Sequence, residues 1–237
     1  MVGNDVVDLR DSDADPATLS ARFDGRVFSP AELRSIEASA EPARQRWRLW
    51  AAKEAAYKLL RRLDPAIPFS PRRLIVSLEE RVGRPLRGAL QPRPRATSAG
   101  EPFPPQRVLA LGEGRGSVRF EGRELELRVL DSDGAVHALA ALPGDSPARL
   151  VHGLWRLDRR DSRRGDPHGP GEAVRELACR ALTRLLGEPQ DSAPLIEVRR
   201  ENRIPSFWRG GVRLPVALSL SHHGGLVAFA LGEGAAS

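Results

Sequence analysis

The chain has 237 residues, 41% of them hydrophobic, and carries 37 Lys and Arg against 31 Asp and Glu, a net charge of +6. That length suits one large domain or two small ones, with enough apolar residues for a core. The single cysteine, Cys179, excludes a disulfide framework and a cysteine-rich zinc site, and no apolar run approaches the roughly 18 residues of a membrane span. The first residues, M-V-G-N-D-V-V-D-L-R-D, are acidic and lack a signal-peptide apolar region, so a soluble cytoplasmic protein is expected. Arginine supplies almost all the positive charge. The two lysines, Lys53 and Lys58, lie in one short stretch. An arginine-rich surface suits phosphate or an acidic partner, and a GC-rich coding background produces the same bias. Lysine, unlike arginine, can give up its proton, which marks Lys53 and Lys58 for attention.

Residues 2–9 are short and β-branched, the pattern of a first strand, with Asp5 inside it. A strand carboxylate is either solvated at a sheet edge or, if buried, paired or bound to a metal. Residues 11–15 form a turn and 19–26 a short helix. Phe28-Ser29-Pro30-Ala31-Glu32 reads as a helix start, with Ser29 as N-cap, Pro30 at the first helical position and Glu32 closing a capping box. That helix is predicted to run to about residue 40.

Residues 44–63, R-Q-R-W-R-L-W-A-A-K-E-A-A-Y-K-L-L-R-R-L, form the dominant amphipathic helix. Positions 47, 50, 51, 54 and 58 share one face, so Glu54 and Lys58 occupy places where a core-facing helix carries Leu or Ala. Two readings follow: an i, i+4 pair supporting the helix, or an acid/base pair held against a buried cleft.

A strand is predicted over residues 73–78, then a loop rich in Pro, Arg and Gly over 81–105. Three strands follow, 117–120, 124–130 and 135–141. Their turns fall at Gly122 and at Asp133-Gly134, and the clean alternation of the second implies one solvated face. Residues 158–171 are polar and broken by Gly and Pro. They form the core of a connection assigned to 151–171, between a half comprising 1–150 and another comprising 172–237. A second amphipathic helix covers 172–186, a strand 195–199, and a hairpin 215–221 with 226–231 around Ser221-His222-His223-Gly224-Gly225. No βαβ alternation appears, so the fold class is α+β, as two α+β halves.

Asp5, Glu54 with Lys58, and the Ser-His turn together resemble the 4'-phosphopantetheinyl transferase superfamily. G-N-D-V-V-D-L is similar to its G-x-D strand, F-S-P-A-E with W-A-A-K-E-A-A-Y-K to its W-x-x-K-E-x-x-x-K helix, and L-S-L-S-H-H-G-G to its S-L-S-H motif. The motif order is that of the small, holo-ACP-synthase-type members, while the length is that of the two-domain members. That combination implies a pseudo-dimer with circularly permuted halves, active as a monomer; the rival is a trimer of single domains with a long insertion. Where two-domain members carry G-x-D-x-E, this chain has Val7. Asp8 on a regular strand faces away from Asp5. The family's G-K-P is represented here by Arg203-Ile204-Pro205.

The resemblance implies transfer of the 4'-phosphopantetheine arm of coenzyme A to a serine of an acidic acyl or peptidyl carrier protein. It implies Mg²⁺ on Asp5 and Glu54, Glu54 and Lys58 as catalytic residues, and Lys53, Ser221, His222 and Arg180 on the coenzyme's phosphates. A catalytically inactive relative that binds carrier protein or coenzyme A is one alternative. A basic nucleic-acid-binding module is another, disfavoured by the single Tyr and the absence of a nucleic-acid motif. Neither a membrane nor a nucleic acid is an expected partner.

Overall fold

In the computed structural model, residues 1–20, 22–79, 106–108, 110–145, 150–157 and 169–233 are described. The predicted 81–105 loop lies outside them, as do residues 158–168 of the connection.

The first half is a five-stranded antiparallel sheet in the order β1-β6-β5-β4-β2. Its strands are β1 (Val2–Asp8), β2 (Ile75–Glu79), β4 (Gly112–Phe120), β5 (Arg123–Ser132) and β6 (Ala135–Ala141). Tight turns at Glu121-Gly122 and Asp133-Gly134 join β4 to β5 and β5 to β6. Gly122 (φ +79°) and Gly134 (φ +71°) take the left-handed backbone that such turns demand. The alternation along β5 has the expected result: Leu125, Leu127 and Val129 are buried and the residues between them are not.

Two helices bring the chain onto this sheet, α1 (Phe23–Val27) and α2 (Pro30–Ala38), and a third, α3 (Pro42–Leu63), lies on it. The capping box of α2 forms as predicted: Glu32 N–H donates to Ser29 Oγ and Ser29 N–H to Glu32 Oε2. α3 packs its small residues, Ala51, Ala52, Ala55 and Ala56, with Leu59 and Leu60, on Val7, Val129, Val136, Ala138 and Ala140. Small side chains let helix and sheet come close, and Gly3 in β1 brings them closer still. A Cβ on Gly3 would lie 2.0 Å from the Ala55 carbonyl oxygen.

The second half is a six-stranded antiparallel sheet in the order β3-β7-β11-β10-β9-β8. It comprises β3 (Gln106–Arg107), β7 (Val151–Arg156), β8 (Ile196–Glu201), β9 (Ile204–Arg209), β10 (Val212–His223) and β11 (Leu226–Glu233). Helix α4 (Pro170–Leu185) covers its outer face, Val174, Ala178 and Leu182 meeting Leu218, Val227, Phe229 and Leu231. The α+β class and the two halves hold. The boundaries shift: residues 151–156, assigned to the connection, are β7, hydrogen-bonded to β11 well inside the second sheet, and α4 begins at Pro170. β3 belongs to the second sheet although it precedes β4 in the chain.

The alternate residues of β11, Leu226, Ala228 and Ala230, turn away from α4 and pack with Val2, Val6, Ala135, Leu139 and Leu154 of the neighbouring strands. The two sheets therefore face one another, with α3 and α4 on the outside. β1 is an edge strand by hydrogen bonding, yet every residue of it is buried because β10 and β11 lie across it. No helix among the described residues is long and apolar enough to cross a membrane.

Candidate active site

β1 alternates, so Gly3, Asp5 and Val7 turn toward α3. On α3, Glu54 and Lys58 lie one turn apart and face back. The close approach at Gly3 sets the separation. Lys58 Nζ donates to Asp5 Oδ1 at 2.8 Å and to the Asn4 carbonyl at 3.0 Å. Asp5 is 8% exposed, so the solvated-edge reading fails and the paired reading holds. Lys58 spends its hydrogen bonds on β1 rather than on an i, i+4 ion pair: none to Glu54 forms within 4 Å among the described residues.

Glu54 makes no hydrogen bond or ion pair among the described residues. Burial pushes its carboxyl up to about 7, the Asp5 charge pushes the same way, and Lys58 opposes both. Burial, and then the neighbouring Asp5 charge, thus favour the protonated form of Glu54 against the opposing Lys58. Oxygen donors of this kind fit Mg²⁺, which takes one or two carboxylates and fills its remaining positions with water and phosphate oxygens. Among the described residues no cluster of three or more Asp, Glu, His and Cys is arranged for a metal.

Glu54 and Lys58 open onto a cleft of about 250 Å³ between α3 and the second sheet, whose walls include Ser219, Leu220 and Pro205. Four arginines line it: Arg61 and Arg62 from the last turns of α3, and Arg200 and Arg203 from the β8–β9 hairpin. Burial and the neighbouring Arg213 pull the Arg62 guanidinium down to about 10, a sign of positive charge crowded into low-dielectric surroundings. The β8–β9 turn is built on Asn202 (φ +51°) and Arg203 (φ +66°), both left-handed. Arginine there, where glycine is the easy choice, is strained, and strain of this kind collects at functional sites.

The other residues singled out in the sequence divide between the site and the rest of the fold. Lys53 is fully buried: Nζ bonds Glu32 at 2.8 Å and the carbonyls of Pro71 and Leu74, so it reaches no phosphate. Glu32 in turn accepts Val76 N–H at 2.8 Å. The F-S-P-A-E signature and Lys53 are therefore one joint between α2, α3 and β2. Arg180 stands on the exposed side of α4 in an ion pair with Glu176. Ser221 points at β1 and donates to Asp5 Oδ1 at 2.7 Å. His222, next along β10, takes the opposite side of the strand and is exposed. The Asp8 carboxylate, facing away from Asp5 as expected, binds Arg156 at 2.9 Å and accepts the N–H groups of Arg10 and Gly225.

The four cleft arginines had no distinguishing signal in a sequence this rich in arginine. The one exception is Arg203, which begins Arg203-Ile204-Pro205, the stretch the resemblance set against G-K-P and of which only Pro205 matches. No curated protein matches the chain. Residues 1–98, the stretch that contains β1, the Ser29–Glu32 cap and α3, match the model of the 4'-phosphopantetheinyl transferase superfamily.

Proposed function

We propose that this protein transfers the 4'-phosphopantetheine group of coenzyme A to a serine hydroxyl of an acyl or peptidyl carrier protein, releasing 3',5'-ADP. The observation that carries this reading is that Glu54 and Lys58, the latter bonded to Asp5, open onto a cleft lined with arginines from both halves. In the transfer a bond forms between the serine Oγ and the pantetheine-bearing phosphorus. The bond from that phosphorus to the bridging oxygen of the pyrophosphate breaks, and the electron pair leaves with the 3',5'-ADP.

Asp5 and Glu54 would hold Mg²⁺, which when bound neutralises charge on the pyrophosphate. Glu54, raised to about 7, is poised to take the serine proton directly or through a water. Lys58 keeps the Asp5 carboxylate in place and would put positive charge beside the leaving oxygen. Arg61, Arg62, Arg200 and Arg203 would take the phosphates, in place of the buried Lys53. Guanidinium forks suit phosphate oxygens in pairs. The surface around them suits an acidic carrier protein.

The two sheets, each with its own helix, support a pseudo-dimer in which one chain carries a whole site. An activity that does not fall on dilution would agree with it. Mass spectrometry of an apo carrier protein incubated with coenzyme A, Mg²⁺ and this protein tests the function. A mass gain of one phosphopantetheine group is expected. No gain with several carrier proteins, together with measurable coenzyme A binding, would favour an inactive relative.

A further inference from the structure

The free edge of β1 needs partners for the N–H groups of Asn4, Val6 and Asp8, because no strand among the described residues is paired with it there. They find them in side chains of β10. Asn4 N–H donates to Ser219 Oγ at 2.9 Å, Val6 N–H to Ser221 Oγ at 3.3 Å, and Asp8 N–H to His223 Nδ1 at 3.1 Å. Residues two apart on β10 thus serve residues two apart on β1. The Ser-x-Ser-x-His pattern is a row of side-chain acceptors standing in for a missing strand. Ser221 does more than its neighbours: while accepting from Val6 it gives its own proton to Asp5 Oδ1 at 2.7 Å. Asp5 Oδ1 therefore lies between two donors, Lys58 from the first half and Ser221 from the second.

We infer that Ser221 is a positioning residue: it fixes the rotamer of the Asp5 carboxylate across the junction of the two halves. The inference rests on the reading of Asp5 and Glu54 as the metal-holding pair only for its functional consequence; the positioning itself is a matter of one hydroxyl and one carboxylate. Partners that orient a ligating carboxylate typically change metal affinity by about 10- to 100-fold when removed. Ser219, which accepts from the same strand and touches no carboxylate, is the internal comparison.

The test uses the full chain and its Ser221→Ala, Ser221→Thr and Ser219→Ala variants. Crystal structures without added metal show where the Asp5 carboxylate lies, and Mn²⁺ titration followed by electron paramagnetic resonance reports metal affinity. In Ser221→Ala the Asp5 carboxylate should turn from its wild-type position and the Mn²⁺ dissociation constant should rise about tenfold, with KM for coenzyme A within twofold of wild type. Ser221→Thr, which keeps the hydroxyl, should restore the affinity, and Ser219→Ala should leave it unchanged. An unmoved Asp5 with unchanged Mn²⁺ affinity would overturn the inference, as would a large rise in KM for coenzyme A alone. If Asp5 turns in Ser221→Ala while neither protein binds Mn²⁺, the positioning role stands and the metal reading falls.

Discussion

Glu54→Gln isolates the electrostatic cost of an ionised Glu54. The Glu54 carboxyl rises from an ordinary 4.5 to about 7 in the fold. At about 1.36 kcal/mol per pH unit that shift corresponds to roughly 3 kcal/mol, a ceiling that partial solvent access to the side chain brings toward 2. Below pH 4.5 Glu54 is protonated whether the chain is folded or not, and its contribution is fully present. Between 4.5 and 7 the unfolded chain releases the proton while the folded one keeps it, so stability falls as pH rises. Above 7 the loss is complete. The glutamine side chain of the variant is neutral throughout. The assay is urea unfolding of both proteins in EDTA at pH 5, 6, 7 and 8, read as the difference between them, so that groups common to both largely cancel. The variant should gain on the wild type by about 2–3 kcal/mol across this range. Millimolar Mg²⁺ at pH 8 should close part of the gap, by favouring the ionised carboxylate of the wild type. A difference that stays flat with pH would refute the claim that Asp5 and burial crowd Glu54.

Two further substitutions probe the surroundings. Lys53→Met strips the buried Glu32 of its counter-charge and should cost about 3–5 kcal/mol in urea unfolding, as removal of one partner of a buried ion pair does; a loss under 1 kcal/mol would mean that the joint between α2, α3 and β2 does not depend on the ion pair. Arg203→Gly removes one cleft guanidinium and also the strained left-handed arginine, so stability should stay within about 1 kcal/mol while KM for coenzyme A rises about tenfold in the carrier-protein assay. An unchanged KM would remove Arg203 from the phosphate-binding set.

The parts of this molecule legible in the sequence were those set by local chemistry. The Ser29–Glu32 box names its own helix start, and the period of residues 44–63 shows which face of α3 meets the sheet. Asp133-Gly134 marks its turn because a left-handed residue is needed there. Strands β7 and β9 are not legible there: V-H-G-L-W-R and I-P-S-F-W-R are short, interrupted by Gly or Pro, and strand-like only once β11 and β8 lie beside them. Within the site, Asp5, Glu54 and Lys58 shared an unusual polarity for positions in buried elements. The fate of Lys53 was not legible, because its neighbour in sequence faces the cleft while its partner Glu32 arrives from another helix. Nor was the direction of Ser221, since the face that β10 turns toward β1 is decided by how the two sheets meet.

That meeting has a consequence for any attempt to divide the protein. An unsheltered strand edge is a template for joining another chain. In the intact molecule the edge of β1 is occupied by two hydroxyls and an imidazole that arrive more than two hundred residues later. A fragment ending before α4 would retain all of β1 and none of those acceptors, leaving three amides in search of carbonyls. Such a piece would pair through β1 with a second copy of itself and grow into aggregates. Supplying residues 169–237 in trans would cap the edge and keep the fragment in solution.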